Sequence, residues 1–289
     1  MGFILAADTS GDIPRTEMTA RNIEYKSLVY TIDGVEYPDN FSLDSEYKAF
    51  YDEIRAGKLP TTSQINTLEH EEFFESLLQK YEDDILYVTL SSGLSGSYES
   101  AVLAAKNLLE KTGRKIYVVD SLGATISQRK VVDKAEQLRN DGLSAKEAAA
   151  VLVDYVKHIQ TWFMPTDLKH LCRGGRVSRA AATFGTMLNI KPVLFIDRLG
   201  KLPVIKKLRG ASNGMTYMLE RFKEYATATP HRVYIASADS DFAEEMRQKV
   251  KDARPDCDVV IGWIGPVIGA HTGCGAVGVS FESDIERPY

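Results

Sequence analysis

Residues 84–111, DILYVTLSSGLSGSYESAVLAAKNLLEK, decide the fold class. Ile85–Leu90 is a short, nearly continuous apolar run, the pattern of a strand buried on both faces. It ends at Ser91, Ser92, Gly93, Leu94, Ser95, Gly96 and Ser97. Tyr98–Lys111 then has helical spacing up to Gly113, a suitable residue just past a helix end. The unit is strand, hydroxyl-rich glycine turn, helix. At such a turn the first N–H groups of the helix lack intrahelical partners, the positive end of the helix dipole adds to them, and serine hydroxyls surround both. This predicts a site for an anionic group, with simple helix capping as the plainer role for any single serine.

What the turn lacks narrows the anion. A phosphate loop needs a lysine after its second glycine, and a dinucleotide loop needs three glycines at GxGxxG spacing; neither is present. Gly93–Ser97 reads GLSGS, not the GxSxG of a hydrolase elbow. Hydroxyls and amides without a lysine suit a carboxylate better than a triphosphate.

Outward from this unit the chain repeats strand and helix. Phe3–Ala7 reads as a buried strand closing on Asp8, Thr9 and Ser10. Tyr25–Thr31 and Val35–Tyr37 flank Asp33 and Gly34, a two-residue hairpin signal, expected as a small antiparallel addition to the sheet. Ser42 is expected to cap a helix carrying Tyr47, Phe50, Tyr51 and Ile54 on one face. Pro60–Gln64, PTTSQ, reads as a polar loop. In an open α/β sheet, ligands sit beyond the carboxyl ends of the strands, which makes this loop a candidate second wall. Lys115–Val119 is a further strand, and Ser144 with Glu147 forms a capping box.

The pattern predicts two α/β domains: residues 1–160, with a mainly parallel sheet flanked by helices, and residues 161–289, a smaller α/β layer domain. The second is expected to hold strands at Thr161–Met164, Pro192–Ile196, Arg232–Ala236 and Val259–Ile264, with a hairpin around Gly200 contributing Leu202–Leu208. Leu171–Arg179 (LCRGGRVSR) and Gly265–Gly278 (GPVIGAHTGCGAVG) read as glycine-rich turns approached by backbone or ligand.

A formal charge of -5 without a long basic run argues against nucleic acid and anionic membrane surfaces as partners. Three cysteines without a CxxC pair fit a reducing compartment. The opening MGFILAADTSGD has no basic n-region and reads as a first strand, and no segment approaches the roughly 20 apolar residues of a membrane span. A cytoplasmic location is expected.

Of the five histidines, His271 stands apart because it lies in a glycine-rich stretch where small residues could bring its ring against a ligand. No HxxxH or HExxH spacing supports a metal site. A serine hydrolase using Ser92 or Ser95 with His271 as base is the alternative activity, with no acidic partner in view. Arg173, Arg176, Arg179 and Arg209 are the cationic candidates.

ILAADTS, TTSQ at Thr61–Gln64, TLSSGLSGSY at Thr89–Tyr98, VVDS at Val118–Ser121, GGRVS at Gly174–Ser178 and IGAHTGCGAVG at Ile268–Gly278 together resemble the DegV family, in order and over nearly the whole chain. The resemblance implies two α/β domains with a fatty acid at their junction. No cofactor or metal is implied, only a bound long-chain fatty acid as ligand. It implies Thr62, Ser92 or Ser95, and Gly93 of the same turn at the carboxylate, with His271 and Arg209 in the surrounding network. It also implies a non-catalytic carrier presenting the acid to a separate ATP-dependent fatty acid kinase subunit; Arg173, Arg176 and nearby surface are our own candidates for docking that partner. Ile65 and Cys274 stand where the family usually has proline.

Overall fold

The computed structural model describes residues 2–178, 180, 189–228 and 232–289; Arg179 and His231 lie outside the described residues. Through the first half the chain runs β1 (Ile4–Asp8), α1 (Arg15–Ala20), β2 (Glu24–Lys26), β3 (Val29–Ile32), β4 (Val35–Pro38), α2 (Asp44–Arg55), β5 (Thr61–Ser63), α3 (Thr67–Lys80), β6 (Ile85–Thr89), α4 (Ser97–Thr112), β7 (Ile116–Asp120), α5 (Ile126–Asn140) and α6 (Ala145–Tyr155). The second half adds β8 (Ile159–Met164), α7 (Lys169–Arg173), β9 (Ile190–Phe195), β10 (Val204–Arg209), α8 (Ala211–Tyr225), β11 (Arg232–Ser237), α9 (Phe242–Ala253), β12 (Asp258–Trp263), α10 (Pro266–Thr272) and β13 (Val277–Glu282).

The first sheet is parallel, in the order β2-β1-β6-β7. All five residues of β6 are buried, as its unbroken apolar run requires. Alternate residues serve opposite layers. Leu5, Leu86 and Val88 pack with Val131, Val132 and Leu152 of α5 and α6, whereas Ala6, Ile85 and Tyr87 pack with Phe74, Leu77 and Leu108 of α3 and α4. Gly113 ends α4 in the left-handed conformation at φ 71°, and Ser144 and Glu147 make the expected capping box on α6.

The second sheet is mixed, with order β10-β9-β8-β13-β11-β12. Trp162, Phe195, Val277, Val279 and Phe281 bury one face against Met215, Met218 and Phe222 of α8 and Met246 of α9. Its other face is turned toward α5, which touches both sheets. A third core mixes both halves of the chain: Leu28, Phe50 and Tyr51 pack with Ala236, Ile264 and Val267.

Four expectations are corrected. The Tyr25–Thr31 segment divides: β2 joins the parallel sheet, and β3 pairs with β4 and β5 in a separate three-stranded antiparallel sheet. The PTTSQ segment is therefore a strand over Thr61–Ser63, because β3 supplies a pairing partner that the sequence alone did not reveal. Ser42 does not cap α2; its N–H donates to Glu46 Oε2 at 2.7 Å, and its hydroxyl accepts from Thr16 N. Gly265–Gly278 is not one turn. It contains α10 and leads into β13, a central strand of the six, whose glycine-rich approach masked its alternation.

Candidate functional site

The carboxyl end of β6 is held by a buried acid. Asp8 accepts through Oδ2 from Thr89 Oγ1 at 2.6 Å and Leu90 N at 2.8 Å, and through Oδ1 from the Ser10 backbone and hydroxyl and from Gln128 Nε2. One side chain thus joins β1, β6 and α5 just below the serine turn.

Above that turn lies a cleft with an empty volume, its open mouth included, of about 840 Å³. Leu90 and Leu94 line it from the first half, as do Phe163, Ile196, Leu202, Ala236, Ile264 and Val267 from the second. Its polar lining includes Thr62, Ser95, Arg176 and His271. Thr62 Oγ1 and His271 Nε2 share a hydrogen bond of 2.8 Å across 209 residues of chain. Ile65 N donates to Ser97 Oγ at 3.2 Å, which fastens β5 to the serine turn. Arg176 donates from Nε to Leu94 O at 3.0 Å and from Nη1 to Gly174 O at 2.6 Å, so it forms part of the wall. The sequence had offered this arginine as one of several cationic candidates and for partner docking, without placing it in the wall of a cleft.

The residues singled out from the sequence separate into two groups. Thr62, Ser95 and His271 line the cleft together, and His271 sits in the last turn of α10. Ser92, Gly93 and Arg209 are not part of its lining. Ser92 N donates to Asp120 Oδ1 at 3.2 Å. Gly93 is pressed by the backbone at Leu199 and Gly200, where a Cβ would collide, which gives this glycine a packing reason. Arg209 is exposed at the end of edge strand β10, opposite Ile190. Gly174 is the residue whose role sequence reading missed. A Cβ there would overlap His271 Nδ1, although the Gly174 backbone at φ -72° suits any residue. Gly174→Ala is therefore expected to displace the imidazole and cost about 1–3 kcal/mol by overpacking, read as a lowered midpoint in urea.

The sequence model of the DegV family of uncharacterised proteins matches residues 3–284. The chain belongs to the DegV family. A DegV domain-containing protein of Clostridium perfringens is 34% identical over 289 residues, covering 99% of each chain. A Thermus thermophilus DegV family protein, described by its fatty acid binding, superposes with a TM-score of 0.86 at 28% identity, over 98% of this chain and 100% of that one. The fatty acid kinase B3 protein of Streptococcus pneumoniae, loaded with linoleic acid, shares the fold with a TM-score of 0.84 at 22% identity, over 98% and 100% of the two chains. Against the usual DegV pattern, Ile65 supplies an N–H that proline would lack, and Cys274 Sγ donates to Tyr51 O at 3.4 Å. No helix among the described residues is long and apolar enough to cross a membrane.

Burial, reinforced by Arg176, Arg173 and His170, holds the His271 imidazole down to about 4. The ring is therefore neutral at pH 7, with Nε2 engaged by Thr62 and Nδ1 buried without a partner among the described residues. The unfolded chain protonates this histidine near 6.5, and the folded one only near 4. Its contribution to stability is thus present above 6.5 and lost as pH falls toward 4. The stability difference between wild type and His271→Gln should narrow over that window by up to about 3 kcal/mol, measured by denaturation of lipid-free protein.

Proposed function

We propose that this DegV protein binds a long-chain fatty acid, with its chain in the apolar cleft and its carboxylate at Thr62, Ser95 and His271, and presents that carboxylate to a separate kinase. The observation that carries the reading is one cleft combining an apolar lining with Thr62, Ser95, Arg176 and His271. Each methylene buried contributes about 0.8 kcal/mol, so a long chain gains on the order of 10 kcal/mol before ordering costs. A hydrogen bond to a charged group contributes about 1.5–3 kcal/mol. The cleft therefore sets affinity and the hydroxyls set orientation. Fatty acid binding by the Thermus relative supports the ligand class. The Ser91–Ser97 turn lacks the lysine and glycine spacing of a phosphate loop, so the phosphoryl donor is assigned to the partner. Arg173, exposed at the end of α7, is assigned to partner docking.

The hydrolase alternative is disfavoured by the same geometry. Ser95 Oγ bonds Ser97 Oγ at 3.0 Å, His271 Nε2 is taken by Thr62, and among the described residues no carboxylate orients Nδ1. Denaturing extraction and mass spectrometry of the purified protein is expected to yield a stoichiometric long-chain fatty acid from wild type. Ser95→Ala should retain it, with affinity reduced about 10- to 100-fold. Extracts without lipid, together with ester turnover that vanishes in Ser95→Ala and His271→Ala, would support the hydrolase instead.

A further inference from the structure

Asp12 and Asp39 stand beside a second, smaller pocket, with an empty volume, its open mouth included, of about 250 Å³, that fatty acid binding does not use. They are 7% and 4% exposed, and among the described residues both oxygens of Asp12 and Oδ2 of Asp39 lack a well-formed hydrogen bond, although the backbone N–H groups of Gly265 and Val267 lie toward the two carboxyls and favour their charged forms. The contrast with Asp8, satisfied by five donors a few residues earlier, is sharp. The two carboxylates converge at Gly265, where a Cβ would collide with Asp12 Oδ1 and lie 3.3 Å from Asp39 Oδ1. Asp12 also holds a left-handed backbone at φ 51°, uncommon for a residue other than glycine.

We propose that Asp12 and Asp39 form a binding site for a hard divalent cation, Ca²⁺ or Mg²⁺. Thr9, Asn40, Tyr25 and Tyr47 line the same cavity, so its side-chain donors toward a cation are mainly oxygens, with the Met18 thioether the one sulfur and no thiol or imidazole. The neighbouring arginines compensate the pair only in part, the charge of Arg129 favouring the ionised form of Asp12. Arg129 is held by Glu17 at 2.5 Å, and Arg15 is exposed at the rim. Burial, and then the charge of Asp39, raise the Asp12 carboxyl, and burial pushes Asp39 up to about 8. Such a pair retains both charges at neutral pH only with a positive charge between them.

The test does not depend on the lipid. Full-length protein stripped with EDTA is melted alone and with excess Ca²⁺, Mg²⁺ or Mn²⁺, and free Mn²⁺ is counted by electron paramagnetic resonance. The expected result is a rise in Tm of about 3 °C or more with at least one metal. Asp12→Asn and Asp39→Asn, which keep side-chain size, should melt higher than stripped wild type and ignore the metal; asparagine also tolerates the Asp12 backbone. Stripped wild type unmoved by all three ions, with the Mn²⁺ signal that of free ion, would overturn the proposal in favour of a shared proton. Asn variants that respond to metal as wild type does would overturn it equally.

Discussion

Ala236→Phe is expected to lower affinity for a long-chain fatty acid by about two orders of magnitude while the protein still folds. Ala236 lies on β11, is 3% exposed, and lines the cleft on the sheet face opposite the α8 core. A phenyl ring added there occupies space that the acyl chain would fill. Displacing about four methylenes forfeits about 3 kcal/mol, which is the stated loss. The cost to the fold itself should be about 1–3 kcal/mol of overpacking. Displacement of a fluorescent fatty acid, read beside the melting curve of the lipid-free protein, separates the two. Unchanged affinity would place the chain elsewhere. This loss should exceed that of Ser95→Ala, because many methylenes outweigh one hydroxyl.

Arg287→Ala should destabilise the fold by about 3–5 kcal/mol, the largest stability effect expected here. Its side chain is 1% exposed and donates to Ile159 O at 2.8 Å, Leu122 O at 2.7 Å and Asp197 O at 3.0 Å. These carbonyls belong to the start of β8, the loop before α5 and the turn after β9. One guanidinium therefore joins three segments, two of which lead into the cleft at Ala124 and Leu202. Burial lowers its pKa to about 10, which still leaves it charged at neutral pH. Truncation strands three carbonyls away from water and opens a void. Urea denaturation of Arg287→Ala and Arg287→Lys tests this, with lysine expected to recover only part of the loss because it cannot reproduce the planar fork. A loss under about 1 kcal/mol in the alanine variant would mean that water replaces the guanidinium.

Local features of the sequence were sufficient for the β6–turn–α4 unit, the two helix layers around the parallel sheet, the capping box at Ser144 and the left-handed Gly113. Each follows from periodicity or from a residue's own conformational preference within a few positions. Ser95, Thr62 and His271 were legible as candidates for the same reason: hydroxyls at a strand's carboxyl end, and a histidine amid glycines. That these three share one cleft was decided by tertiary structure, since β5 had no visible partner until β3 paired with it and α10 was hidden in a glycine-rich run. Ser92, one residue from Gly93, gives its backbone N–H to Asp120 and is not part of the cleft lining, while Ser95 is, a distinction of turn geometry that composition does not carry. Arg176 became a wall residue, and Asp12, Asp39 and Arg287 became buried ionisable groups, for a related reason. Burial of a polar side chain depends on which distant segments close over it, whereas the apolar spacing that marks a strand or helix is a property of adjacent residues.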